Sequence, residues 1–171
     1  GAIFSSASPD FGVEGVLDRF GQIEPKILIT TDGYNFNGQK INITEKVEKV
    51  INSLLSVKDI ILVPLLNSRE IFSSNKVTLY QDLLNNYKSD QIDFVKLKLD
   101  HPLYIMFSSG TTGKPKCIVH SAGGVLLKHL VEVGLHSNAG EKKKFFYFTT
   151  CGWMMWNWLV SCLMLNSSVC L

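Results

Sequence analysis

Nine consecutive positions, Ser108-Ser109-Gly110-Thr111-Thr112-Gly113-Lys114-Pro115-Lys116, hold two Gly, two Ser, two Thr and two Lys. Gly110 and Gly113 allow a tight turn and a close backbone approach to a ligand. Successive N–H groups and four hydroxyls can donate hydrogen bonds, and Lys114 and Lys116 add positive charge. Such a donor-rich cationic turn suits a polyphosphate. It is not a Walker A loop: Gly113-Lys114 is followed by Pro115 where Ser or Thr is required, and Ser108 stands where the first Gly belongs. Pro115 also lacks the N–H that a phosphate-binding helix would offer there. A P-loop kinase or GTPase is therefore disfavoured. By composition alone an ordinary turn between strands is the better reading, and it is the order of the residues that points beyond it.

The elements around the loop must hold it. Leu103-Tyr104-Ile105-Met106-Phe107 is an uncharged strand that leads into it, and Cys117-Ile118-Val119 is a short strand that leaves it. Ser121 is placed to cap a helix carrying Val125, Leu126, Leu130 and Val133. Phe145 to Thr149 reads as a strand and Trp153 to Leu165 as a helix. Upstream, Ser8-Pro9-Asp10 has the order of a helix start, with Ser8 as the cap, and Gly21 and Pro25 bracket its end. Lys26 to Thr31 and Asp59 to Leu65 read as buried strands, and Asp32-Gly33 and Asn37-Gly38 as turns. Thr44 is placed to cap a helix whose apolar stripe is Val47, Val50, Ile51, Leu54 and Leu55, with Lys46, Glu48 and Lys49 facing water. Strand, helix, strand in that order predicts a βαβ unit, and the whole pattern predicts an α/β fold. The expected division is a βαβ region over 1–66, a surface connection over 67–100 rich in Asn67, Ser68, Ser73, Ser74 and Asn75, and a loop-bearing region over 101–171. A short helix is expected within Thr78 to Tyr87.

Composition limits the function. The 171 residues are 46% hydrophobic and 19% charged, which is globular rather than disordered. A net charge of +2, with Lys142-Lys143-Lys144 the longest basic run, argues against a nucleic-acid partner. No stretch reaches the roughly 20 apolar residues of a membrane span. Cys117, Cys151, Cys162 and Cys170 form no C-x-x-C pair and sit among apolar neighbours, so no metal site and no disulfide framework is expected, and a reduced, cytoplasmic setting is. His120, His129 and His136 read as structural or solvated, and Glu14 and Arg19 as helix-surface charges.

The residue order of the loop resembles the phosphate loop of the adenylate-forming (AMP-dependent synthetase/ligase) superfamily. The resemblance runs over nearly the whole chain and is weakest between Asn67 and Asp100. Gly1 to Gly12 and the later Glu24-Pro25-Lys26 are similar to the stretch upstream of that loop in short-chain acyl-CoA synthetases. Cys151-Gly152-Trp153-Met154-Met155-Trp156-Asn157-Trp158 is similar to a segment of the acetoacetyl-CoA synthetases, with Asn157 where acetyl-CoA synthetases usually carry His.

The resemblance implies an α/β piece of the large N-terminal domain, incomplete at both ends and without the C-terminal domain, so that this chain alone would be inactive. It implies that Ser108, Ser109, Gly110, Thr111, Thr112, Gly113, Lys114 and Lys116 hold the β- and γ-phosphates of ATP. It places Trp153 and Asn157, four positions apart, beside the acyl and nucleotide pockets. Implied substrates are acetoacetate, ATP with Mg2+, and coenzyme A. The alternatives are an acetate- or propionate-specific synthetase and a non-catalytic nucleotide-binding remnant. Trp153, Trp156 and Trp158 would equally fit a packed apolar helix.

Overall fold

The computed structural model describes residues 1–66, 76–89, 91–108 and 113–170. They divide into two compact units, residues 9–93 and residues 1–8 with 94–171.

In the first unit, helix α1 (Val13–Ile23) precedes strand β1 (Ile27–Thr31). A hairpin follows, β2 (Gly33–Phe36) and β3 (Gln39–Asn42), then helix α2 (Thr44–Ser53) and strand β4 (Asp59–Val63). β1 pairs with β4 in parallel, from Ile27↔Asp59 to Thr31↔Val63. β5 (Val77–Leu79) extends the sheet on the far side of β4, also in parallel, and α3 (Tyr80–Asn86) follows. The expected βαβ unit is present, with a hairpin inserted after its first strand. Asn37 and Gly38 both have positive φ, 49° and 77°, the two-residue turn that matches the twist of paired strands. The sequence reading marked that turn and missed the strands it joins. Asn67, Ser68, Ser73, Ser74 and Asn75 of the expected surface connection lie outside the described residues.

Several local expectations fail for identifiable reasons. The helix does not start at Ser8: Pro9 and Asp10 form a turn, and the Pro9 carbonyl that a first helical turn would use accepts from Lys46 Nζ instead. Gly12 holds the cap position with extended backbone, and the Arg19 guanidinium lies 4.5 Å over the Phe11 ring. Lys46 is consequently half-buried rather than facing water, and burial lowers its pKa although Asp10 opposes this. Glu24, left-handed at φ 47°, ends α1, and Gly21 lies inside it. Thr44 does not cap α2: Asn42 Oδ1 accepts from the Thr44 N–H at 2.8 Å, and the Thr44 hydroxyl is buried without a partner. Leu55 lies past the helix end and is 90% exposed.

The two strands read as buried are buried on one face only. Leu28, Ile60 and Leu62 are buried, and Leu62 packs with Ile43 and Val47 of the α2 segment. The alternate residues Ile27 and Ile29 are 56% and 64% exposed. Asp32, at the carboxyl end of β1, is 1% exposed. Its Oδ1 accepts from the N–H groups of Leu65 (2.8 Å) and Leu66 (3.0 Å), which ties the end of β1 to the chain leaving β4.

In the second unit, β6 (Pro102–Ser108) and β7 (Lys116–Ser121) form an antiparallel pair. Helix α4 (Ala122–His129) is capped as expected, the Ser121 hydroxyl accepting from Gly124 N–H at 3.2 Å, and a π-helical stretch Leu130–His136 continues it. β8 (Lys144–Phe146) pairs in parallel with β9 (Ser168–Cys170). Between them lie α5 (Met154–Ser161) and the 3-10 turn Cys162–Leu165.

Candidate active site

The β6–β7 ladder sets the root of the loop. Its last pair is Ser108↔Lys116, so the ends of the nine-residue segment face each other across one strand spacing. Gly113 has φ +138°, a conformation that L side chains rarely adopt, and this requires glycine whatever the space around it. Lys114 and Lys116 are exposed at the end of the hairpin. Ser109, Gly110, Thr111 and Thr112, the rest of the expected phosphate-binding set, lie outside the described residues. The fold therefore delivers Ser108, Gly113, Lys114 and Lys116 to one hairpin end.

A second feature lies along β6. Residues 1–8 run beside this strand: Phe4 N–H donates to Leu103 O at 3.0 Å, and Ile105 N–H donates back to Phe4 O at 2.9 Å. Ser5 Oγ donates to Ile105 O at 2.8 Å. Beyond it, Ser6 Oγ donates to Cys151 O, and Cys151 Sγ donates to Ala7 O at 3.5 Å. A small recess opens there, lined by Ser6, Ile105, Met106, Phe107, Cys151, Gly152, Trp153, Met154 and Asn157. Trp153 and Asn157 both line this recess, but they do not share a helix face. Trp153 is not helical; it caps α5 with extended backbone (φ −111°, ψ 150°) and its side chain is 55% exposed. Asn157 Nδ2 lies 3.4 Å from Met106 Sδ. Trp158 packs edge-on to Tyr147 at 6.2 Å, the packing role weighed for the aromatic run.

The sequence reading missed Ser6, Met106, Cys151 and Met154 as wall residues. The Gly1–Gly12 resemblance was the available signal, but periodicity cannot show that a segment a hundred residues upstream lies beside β6.

His120 lies against the Tyr104 ring, centroids 5.3 Å apart, and burial pushes the Tyr104 phenol up. His129 has a buried Nδ1 with no hydrogen-bond partner. Burial lowers its pKa, the His120 and Lys128 charges lower it further, and Glu132 opposes them. Among the described residues no group of three or more His, Cys, Asp or Glu could hold a metal ion. Among them, too, no helix is long and apolar enough to cross a membrane.

Comparison with known proteins gives a family to this arrangement. Over its full length the chain is 47% identical to an acetoacetyl-CoA synthetase of Gallus gallus, covering 26% of that protein. It is 38% identical over its full length to a malonamoyl-CoA synthetase of Penicillium aethiopicum, covering 25% of that protein. The solved structure of acetoacetyl-CoA synthetase from Streptomyces lividans superposes with TM-score 0.92 at 38% identity, over 99% of this chain and 25% of that one. The chain thus spans about a quarter of the length of the relatives it matches. The model of the AMP-binding enzyme family matches residues 1–171, and the chain, with its hairpin-rooted Ser/Thr/Gly/Lys loop, belongs to that family.

Proposed function

We propose that this chain supplies the ATP-phosphate loop and part of the acyl pocket of an acid–thiol ligase acting on a short acid with a carbonyl at its third carbon, acetoacetate foremost. The observation that carries the reading is the full-length similarity to proteins named acetoacetyl-CoA synthetase. The malonamoyl-CoA relative supports the same substrate class, because malonamate also carries a carbonyl two bonds from its carboxylate.

In the reaction proposed, the acid's carboxylate oxygen attacks the α-phosphorus of ATP. Pyrophosphate leaves and acyl-AMP forms. The thiol of coenzyme A then attacks the acyl carbon and AMP departs with the shared electron pair. Such transfers depend on in-line positioning and on neutralising charge as it develops on the leaving group. Ser108, Ser109, Gly110, Thr111, Thr112, Gly113, Lys114 and Lys116 would meet the β- and γ-phosphates, and Trp153 and Asn157 the acyl side. Mg2+ would arrive with the nucleotide, whose phosphates supply part of its ligand shell. A cytoplasmic setting and the absence of a nucleic-acid partner fit small soluble substrates and the net charge of +2.

The test is ATP–pyrophosphate exchange driven by acetoacetate, run on the longest polypeptide the gene encodes. Acetoacetate-dependent exchange supports the reading. Exchange with acetate or propionate alone transfers the reading to those acids, and nucleotide binding without exchange leaves a non-catalytic module.

A further inference from the structure

Two side-chain donors line the recess along β6 and have no strong acceptor among the described residues, the Trp153 indole N–H and the Asn157 amide. The apolar wall of the recess is Ile105, Met106, Phe107, Trp153 and Met154. The Ser6 hydroxyl is already committed to Cys151 O, and the Cys151 thiol to Ala7 O. Asn157 is different. Its amide nitrogen reaches Met106 Sδ at 3.4 Å, and a thioether accepts only weakly. A carbonyl oxygen entering the recess would be the better acceptor.

We propose that Asn157 is the specificity residue that reads the carbonyl oxygen on the third carbon of the acid. This rests on the functional reading above and deepens it. Acetoacetate and butyrate have the same carbon skeleton and differ at that position by one oxygen. A carbonyl taken out of water is penalised if it stays unpaired, whereas one facing an amide donor is matched. A site arranged for such a bond also disfavours the analogue that lacks the oxygen. The neutrality of the amide matters as well. A cationic side chain at the same place would attract the acid's carboxylate, which must instead point toward the nucleotide's α-phosphorus. An amide offers its donor without that competition, and offers it at every pH.

The experiment compares kcat/KM for acetoacetate and butyrate in ATP–pyrophosphate exchange, using the longest polypeptide the gene encodes. Asn157→Leu removes the donor at similar volume. The acetoacetate-to-butyrate ratio should fall by about 3- to 12-fold, the upper part of the range of one hydrogen bond. The loss should fall on acetoacetate, with butyrate unchanged or improved. Asn157→Asp, which keeps the shape and removes the amide donor, should lower the ratio similarly, and it decides the matter if Asn157→Leu does not fold. Asn157→His should make the ratio change with pH between about pH 6 and 8, where the unchanged protein stays flat. A ratio within twofold of the original, or an equal fall for both acids, overturns the proposal and makes Asn157 a packing residue. Equal use of both acids by the unchanged protein also overturns it while leaving the adenylation reading intact. If the unchanged protein shows no exchange with any acid, the functional reading fails as well.

Discussion

The two units are close in size and unequal in core. Among the described residues, nine of the thirteen buried hydrophobic ones lie in residues 9–93, on α1, β1, α2, β4 and the segments between them. The unit with the candidate site buries Tyr104, Val133, Leu159 and Cys162, while Phe148, Trp153 and Met154 stand 55–79% exposed. One unit is organised around a parallel sheet with a helix-covered face. The other is organised around a hairpin whose far end and flank stay open. The comparison separates most of the buried core from the unit that carries the candidate loop.

The separation is testable, and the largest expected effect lies in the sheet. Ile60 is 0% exposed at the middle of β4, so Ile60→Ala should lower unfolding free energy by about 2–5 kcal/mol in urea titrations. A loss near zero would mean that the β4 sheet is not the stable part. The loop should give the opposite result. Lys116→Ala should reduce acetoacetate-dependent pyrophosphate exchange by about 100-fold, as loss of one transition-state charge partner does, while the urea midpoint stays put because the side chain is exposed. Should stability fall as well, the division of labour is wrong.

Asp32→Ala is next. It removes the buried carboxylate that accepts from the N–H groups of Leu65 and Leu66, for a cost of about 1–3 kcal/mol by chemical denaturation. Gly38→Ala, at φ 77° in the β2–β3 turn, should cost about 1 kcal/mol by the same measurement. The smallest effect is a pH slope. His129 has a folded pKa below its unfolded 6.5 because burial disfavours the charged ring. Stability is therefore whole above that value and declines as pH falls through and below it. Unfolding midpoints across this window should slope for the unchanged chain and flatten for His129→Gln.

Much of this was legible in the sequence, for physical reasons that can be named. The loop was legible because its chemistry is local, nine contiguous residues bounded by two apolar runs. The βαβ order was legible because helix and strand have different periods, and the Ser121 cap because capping is a short-range hydrogen bond. What stayed hidden depends on distant residues. Ser8-Pro9-Asp10 has the right order for a helix start, but Lys46, thirty-seven positions away, takes the carbonyl. Asp32 resembled a turn residue until its carboxylate met the N–H groups of Leu65 and Leu66. Ile27 and Ile29 resembled core because hydrophobicity does not tell which face of a strand is covered. At the site, Trp153 and Asn157 came from residue order, whereas Ser6 and Met106 needed the register of residues 1–8 along β6.

The pairing of Ser108 with Lys116 also decides which process bears an entropy cost. Bringing the ends of a free segment of this length together costs about 2 kcal/mol. Here the hairpin ladder has already joined them, so that cost belongs to folding. A ligand meeting this hairpin end does not have to supply that closure, because its two strands already hold the ends in register.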